Sequence, residues 1–203
     1  MAYELIDLNY SSVPKGRCYF FDSNVLLPVV GLPPRDRSEE YVLFFNSVYR
    51  EAKETEACRI LTCTNQISEV FNILMEVELQ KHWTEQLKVA NPDKKSFLKK
   101  VFRPSSDYKR AFDTYKEQFD VYSTVMELTG TGTEPSLNGI LDYDPKMIDF
   151  NDNIIRLVVQ SQNAILVSDD GDFYGQELSQ ATFNKSLIRR FKDNIRPAAA
   201  VKD

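Results

Sequence analysis

Hydrophobic positions change their spacing several times along the chain, and each change predicts an element. Arg17 is followed by the unbroken apolar run Cys18-Tyr19-Phe20-Phe21, which stops at Asp22. Apolar neighbours of both parities point to a short strand buried on both faces. Asn24 to Val30 starts a helix that Gly31-Leu32-Pro33-Pro34 breaks. Ser38 with Glu39 and Glu40 reads as a helix N-terminus, followed at helical spacing by Tyr41, Phe44, Phe45, Val48 and Ala52. Arg59 to Cys63 is a second strand. Thr64 or Asn65 then caps a helix carrying Ile67, Val70, Phe71, Leu74 and Val77 on one side. Breaks fall at Asn91-Pro92-Asp93 and at Arg103-Pro104-Ser105-Ser106, with Ser106 expected to cap a helix from about Asp107 to Leu128. A loop at Thr129 to Pro135 precedes a helical run from Asp144-Pro145 through Ile154, Ile155, Val158 and Val159. Ala164 to Ser168 is a third strand, ended by Asp169-Asp170-Gly171-Asp172. There is no internal repeat. Strands alternating with helices predict a mainly parallel α/β sheet.

Composition narrows the class. With 203 residues, 42% hydrophobic and 27% charged, the chain suits one good core, or a domain with a sizeable insertion. No apolar run approaches the roughly 20 residues a membrane helix needs, and Met1 to Tyr10 lacks the basic-then-apolar order of a signal peptide. Cys18, Cys58 and Cys63 show no CxxC spacing, so a reducing, cytoplasmic setting without membrane contact is expected. His82 is the one histidine, read as a surface or helix-end residue. That excludes Ser-His-Asp hydrolysis, two-histidine ribonuclease chemistry and HExxH metalloproteases. Any catalysis must come from carboxylates.

Charge is uneven. Residues 79–116 hold ten basic and four acidic side chains, whereas 117–172 hold two basic and eleven acidic. Such a chain suits a polyanion held by the first stretch and metal ions by the second, or simply solvated helix faces.

Two of the three strands end on aspartate, which places Asp22 and Asp170 at one edge of the sheet, where open α/β sheets bind ligands. Glu69 lies early in the helix that leaves the same edge, and Asp152 borders the apolar face of the helix before the last strand. Each acid alone also suits a cap, a turn or a solvent-facing helix position. Together they would repel strongly unless a divalent cation offset them. Mg²⁺, held by carboxylate oxygens and water, would activate water for phosphodiester cleavage without histidine.

These segments together resemble the PIN domain, a nuclease fold found in toxins of toxin–antitoxin pairs and in RNA-processing enzymes. Its first strand ends in Asp-x-Asn, matched by Phe20-Phe21-Asp22-Ser23-Asn24-Val25-Leu26. Its glutamate entering a helix is matched by Ser68-Glu69-Val70, and its aspartate opening an apolar helix by Asn151-Asp152-Asn153-Ile154-Ile155. Its final Thr/Ser-x-Asp-x-Asp-Phe is matched by Ser168-Asp169-Asp170-Gly171-Asp172-Phe173, the most specific of the four. The resemblance covers roughly 17–83 and 146–190. It implies a three-layer α/β/α sandwich around a mainly parallel sheet, and Mg²⁺- or Mn²⁺-dependent cleavage of single-stranded RNA. It makes Asp22, Asp152 and Asp170 the metal ligands, with Glu69 a fourth catalytic acid. Asn24 and Ser168 orient the metal-bound carboxylates, and Asp169 or Asp172 assists Asp170. Asp149 competes with Asp152 for the third position; Asp152 is preferred because the apolar helix follows it at once.

Length departs from the compact toxins. Residues 84–145 read as a helical insertion within a single domain, with Lys94, Lys95, Lys99, Lys100 and Arg103 as an RNA clamp. The same stretch suits a homodimer arm or an antitoxin-binding surface. Two other readings compete: a catalytically silent PIN-like module that binds RNA or protein, and a haloacid-dehalogenase-type phosphatase. The phosphatase needs an aspartate two residues after the first, and Asn24 cannot act there as acid or base.

Overall fold

The computed structural model describes residues 3–10, 13–33, 38–87, 93–130 and 140–195. The break at Asn91-Pro92 and most of the expected loop up to Pro135 lie outside the described residues. In chain order come β1 (Leu5–Asp7), β2 (Arg17–Phe21), α1 (Ser23–Val29), α2 (Ser38–Thr55), β3 (Cys58–Thr62) and α3 (Thr64–Leu87). Then follow α4 (Lys94–Phe97), a π-helical turn (Leu98–Phe102), α5 (Ser106–Asp120), β4 (Met126–Leu128), α6 (Phe150–Ser161), β5 (Ile165–Val167), β6 (Ser179–Thr182) and α7 (Lys185–Ile195).

The strands form one sheet in the order β1-β6-β5-β2-β3-β4, and every pairing is parallel. Central β2 explains the two-sided apolar run: Tyr19, Phe20 and Phe21 are all fully buried. Tyr19 and Phe21 pack on one face against Phe44, Phe45 and Val48 of α2, Val70 and Leu74 of α3, and Tyr115 of α5. Phe20, with Leu61 and Leu166 from the flanking strands, packs on the other against Ile155, Val158 and Val159 of α6. Alternate side chains of one strand thus anchor both helical layers, giving the three-layer α/β/α sandwich.

Several boundaries differ from the sequence reading. The helix expected to run to Leu128 ends at Asp120, and Met126–Leu128 instead pairs with Ile60–Thr62 as an edge strand, joined by the Arg59–Glu127 ion pair. The stretch read as a helical insertion therefore also extends the sheet. Ser105, not Ser106, caps α5, its hydroxyl accepting from the Tyr108 amide at 3.1 Å. The helix before β5 starts at Phe150, because Asp149 caps it by accepting the Asp152 amide at 2.9 Å. The aromatic stripe of α5 packs inward: Phe112 and Phe119 lie 5.4 and 5.6 Å from the Phe71 ring on α3. His82 is part-buried within α3, 5.2 Å from the Phe102 ring.

Candidate active site

Parallel pairing brings the ends of β2 and β5 side by side. Phe21 is in register with Val167, and the Asp22 amide donates to the Val167 carbonyl at 3.0 Å. From β2 the chain leads to β3 on one side, and from β5 it leads to β6 on the other. The crevice between β2 and β5 is therefore the switch point where such sheets bind ligands.

Asp22 stands at that point with only 5% of its surface exposed. It caps α1, one oxygen accepting from the Ser23 amide at 2.7 Å and the other from the Ser168 hydroxyl at 2.6 Å. Ser168 in turn accepts the Asp170 amide at 2.9 Å, so one hydroxyl ties the first strand's acid to the last loop. The Ser23 hydroxyl donates to Glu69 at 2.9 Å, linking α1 to α3. Behind them, buried Gln66 donates from its amide to the Phe21 carbonyl and accepts the Thr62 hydroxyl at 2.7 Å. It holds the ends of β2 and β3 in place.

Burial pushes the Asp22 carboxyl up to about 7; the Ser168 and Ser23 hydrogen bonds oppose this, while Glu69 and Asp170 add to it. Asp152, also pushed up to about 7, is raised first by burial and then by Asp149, Asp22, Asp170 and Glu69. All four acids therefore lie within one another's field. Among the described residues, no lysine or arginine forms an ion pair with any of them. Nor, among the described residues, are any three acid, histidine or cysteine side chains grouped closely enough to hold a metal ion together. The donor set nonetheless suits Mg²⁺ or Mn²⁺, which take hard oxygen ligands and typically bind through one or two carboxylates, keeping several waters.

The other expected residues fall out as follows. Asp149 is exposed and used as the α6 cap, whereas Asp152 is the one enclosed near the other acids. Asn24 is exposed on α1 and makes no hydrogen bond to the acids among the described contacts; Ser23, passed over in the sequence reading, makes that contact instead. Asp172 touches Asp170 through its backbone amide at 2.9 Å, with its carboxylate exposed. Asp169 is held by the Tyr41 hydroxyl at 3.0 Å, and that hydroxyl also lies 2.9 Å from Thr182 and accepts the Phe183 amide at 3.0 Å. Lys94 is engaged with Glu76 at 2.5 Å and Gln80 at 2.8 Å. Lys95, Lys99, Lys100 and Arg103 are exposed on the same hairpin against α3. Glu76 and Gln80 lie about 10–17 Å beyond Glu69 along the helix axis, so the hairpin flanks the acids at a distance.

No family model matches the sequence, and no curated protein matches it either. Two solved structures are similar in outline. VapBC2 from Rickettsia felis, bound to a DNA fragment from their promoter, is 15% identical with a TM-score of 0.48, over 81% of this chain and 98% of that one. PAE2754 from Pyrobaculum aerophilum is 16% identical with a TM-score of 0.43, over 92% and 96% of the two chains. At those scores neither informs the chemistry of this chain. The PIN-like arrangement rests on its own parallel sheet, its three layers and the edge at which the motif acids meet.

Proposed function

We propose that the chain is a divalent-metal-dependent nuclease that hydrolyses phosphodiester bonds of single-stranded RNA. One observation carries the reading: four carboxylates from four separate segments share a field at the sheet's switch point, with no ion-paired cation among the described residues to offset it. Asp22, Asp152 and Asp170 would hold Mg²⁺ or Mn²⁺, which supplies the Lewis acidity that phosphodiester hydrolysis needs at neutral pH. The chain's own part is orientation. Ser168 fixes one oxygen of Asp22 and the backbone of Asp170; Ser23 fixes Glu69, which would accept a proton from an attacking water. Burial of Asp22 behind β2 and β5 keeps its carboxylate poorly hydrated, which strengthens its attraction to a cation.

The test is cleavage of a mixed single-stranded RNA with Mg²⁺ or Mn²⁺. Cutting should vanish in EDTA and fall at least a hundredfold in Asp22→Asn, whose amide oxygen still caps α1. Full activity in that variant would sink the site assignment. A folded protein that binds RNA without cutting would instead support the catalytically silent module. The motif resemblance extends the proposal to a toxin with an antitoxin partner. Growth arrest on expression, relieved in Asp22→Asn, supports that role, and unimpaired growth with active enzyme argues against it.

A further inference from the structure

We infer that the cleft between α7 and the turn after β1 is the track on which a single-stranded nucleic acid lays its phosphates on the way to the acids. Its role in cleavage rests on the nuclease reading; its existence as a binding site does not. The need for it is electrostatic. The chain carries a net charge of −5 and concentrates acids at its switch point, so a polyanion is repelled from where it must react. Cations are required along the same edge.

The cleft, of about 440 Å³, supplies them. Lys185, Arg189 and Lys192 recur on one face of α7, with Ile188 between them, and all four line it. Asp7 opposes them, but it already accepts Asn9 through two contacts, at 2.9 and 3.1 Å, and lies 3.5 Å from Lys192. The residues lining the cleft thus include three basic side chains and one acid, with Asp7 paired to Lys192. At the mouth stands Tyr10, 89% exposed, a ring on which a base can stack.

Position links the cleft to the acids. Asp7 pairs with Thr182, so the cleft opens at the carboxyl ends of β1 and β6, the edge that carries Asp22 and Asp170. Two strand spacings, about 10 Å, separate β1 from β5. The connection is also direct: Asn184, which caps α7 through the Ser186 amide at 3.1 Å, donates to the Asp169 carbonyl at 3.0 Å. Lys185 is the next residue along. By contrast, the 94–103 hairpin packs on the far half of α3.

The experiment is fluorescence anisotropy of a labelled mixed-sequence 12-mer RNA, in Mg²⁺, on the full chain in the Asp22→Asn background. Lys185→Glu with Arg189→Glu should weaken binding at least tenfold and reduce the salt slope by about 1.4, two phosphate contacts at roughly 0.7 each. Arg189→Lys should retain most of the affinity. Tyr10→Ala should cost several-fold with little change in slope. Circular dichroism and the thermal midpoint check that each variant is folded. Unchanged affinity in the folded double variant overturns the proposal, as does no binding by the parent. Equal weakening from Lys109→Glu with Lys116→Glu, at exposed positions of α5, would show a response to net charge and overturns it too. Competition by inorganic phosphate or a mononucleotide as effective as that by the 12-mer would mark a lone anion site, which is not a track. The two readings fail separately. RNA held in the cleft but never cut by the wild type removes the nuclease, and cutting with an unchanged double variant removes the cleft.

Discussion

Asp22 serves the fold and the proposed chemistry with opposite consequences. A carboxyl that ionises at 3.8 in an ordinary setting does so here at about 7. Between those values the native chain retains a proton that the unfolded chain has released. The contribution to stability is therefore full below about pH 4 and lost as pH rises to about 7. Asp152 behaves the same way over the same window. In EDTA, the thermal midpoint of wild type relative to Asp22→Asn should fall as pH goes from 4 to 8, and Asn should be the more stable side chain at pH 8. A relative midpoint rising with pH would contradict the raised carboxyl. Ser168 is the other residue to test. Ser168→Ala removes a 2.6 Å hydrogen bond to Asp22 and the acceptor of the Asp170 amide. It should lower the cleavage rate by about 10- to 100-fold, the usual cost of losing a group that orients metal ligands. Ser168→Thr should restore much of it. At this scale sequence reading expected Ser168 to orient the carboxylates but passed over two further supports. Ser23 and Gln66 act through hydrogen bonds to Glu69 and the Phe21 carbonyl, and nothing in their spacing distinguishes them from ordinary helix-start residues.

The elements most legible in the sequence were those with apolar side chains on both faces. Cys18–Phe21 and Ala164–Ser168 read as buried strands, and these two lead into Asp22 and Asp170. β1 and β6 left no such signal: Leu-Ile-Asp is short, and Ser-Gln-Ala-Thr buries polar side chains whose needs are met by specific partners. Gln180 donates to the Asp170 carbonyl at 3.0 Å, and Thr182 meets Tyr41. Met126–Leu128 kept the helical spacing of the preceding aromatics, so its place in the sheet was set by tertiary pairing with β3. Tyr41 shows what holds these weakly signalled elements. Its hydroxyl joins α2 to the ends of β5 and β6, and Tyr41→Phe would leave the Phe183 amide without that partner. Urea denaturation should show a loss of about 1–3 kcal/mol, and a change within error would mean that water replaces the hydroxyl.

For the molecule as a whole, an ion held at the acidic centre would couple its binding to stability. An ion that binds the native centre and not the unfolded chain should stabilise wild type by about 2.7 kcal/mol at a hundred times its dissociation constant. Titrating Mn²⁺ should raise the thermal midpoint of wild type and leave Asp22→Asn nearly unmoved; equal shifts in both would place the ion elsewhere. Charge counting along the sequence located the acidic region, but not the basic face beside it. That face joins a turn near the N-terminus to a helix near the C-terminus, and only the fold brings them together. Separation along the chain has one more outcome. Ser168 is 146 residues beyond Asp22, and the hydrogen bond between them closes the centre. At synthesis rates of roughly 5–20 residues per second, on the order of 10 s or more passes between the two leaving the peptidyl-transferase centre. With the RNA-cleaving activity proposed above, an unfinished chain would be inert, and the messenger RNA being translated would be spared by the protein it encodes until its last strands had been made.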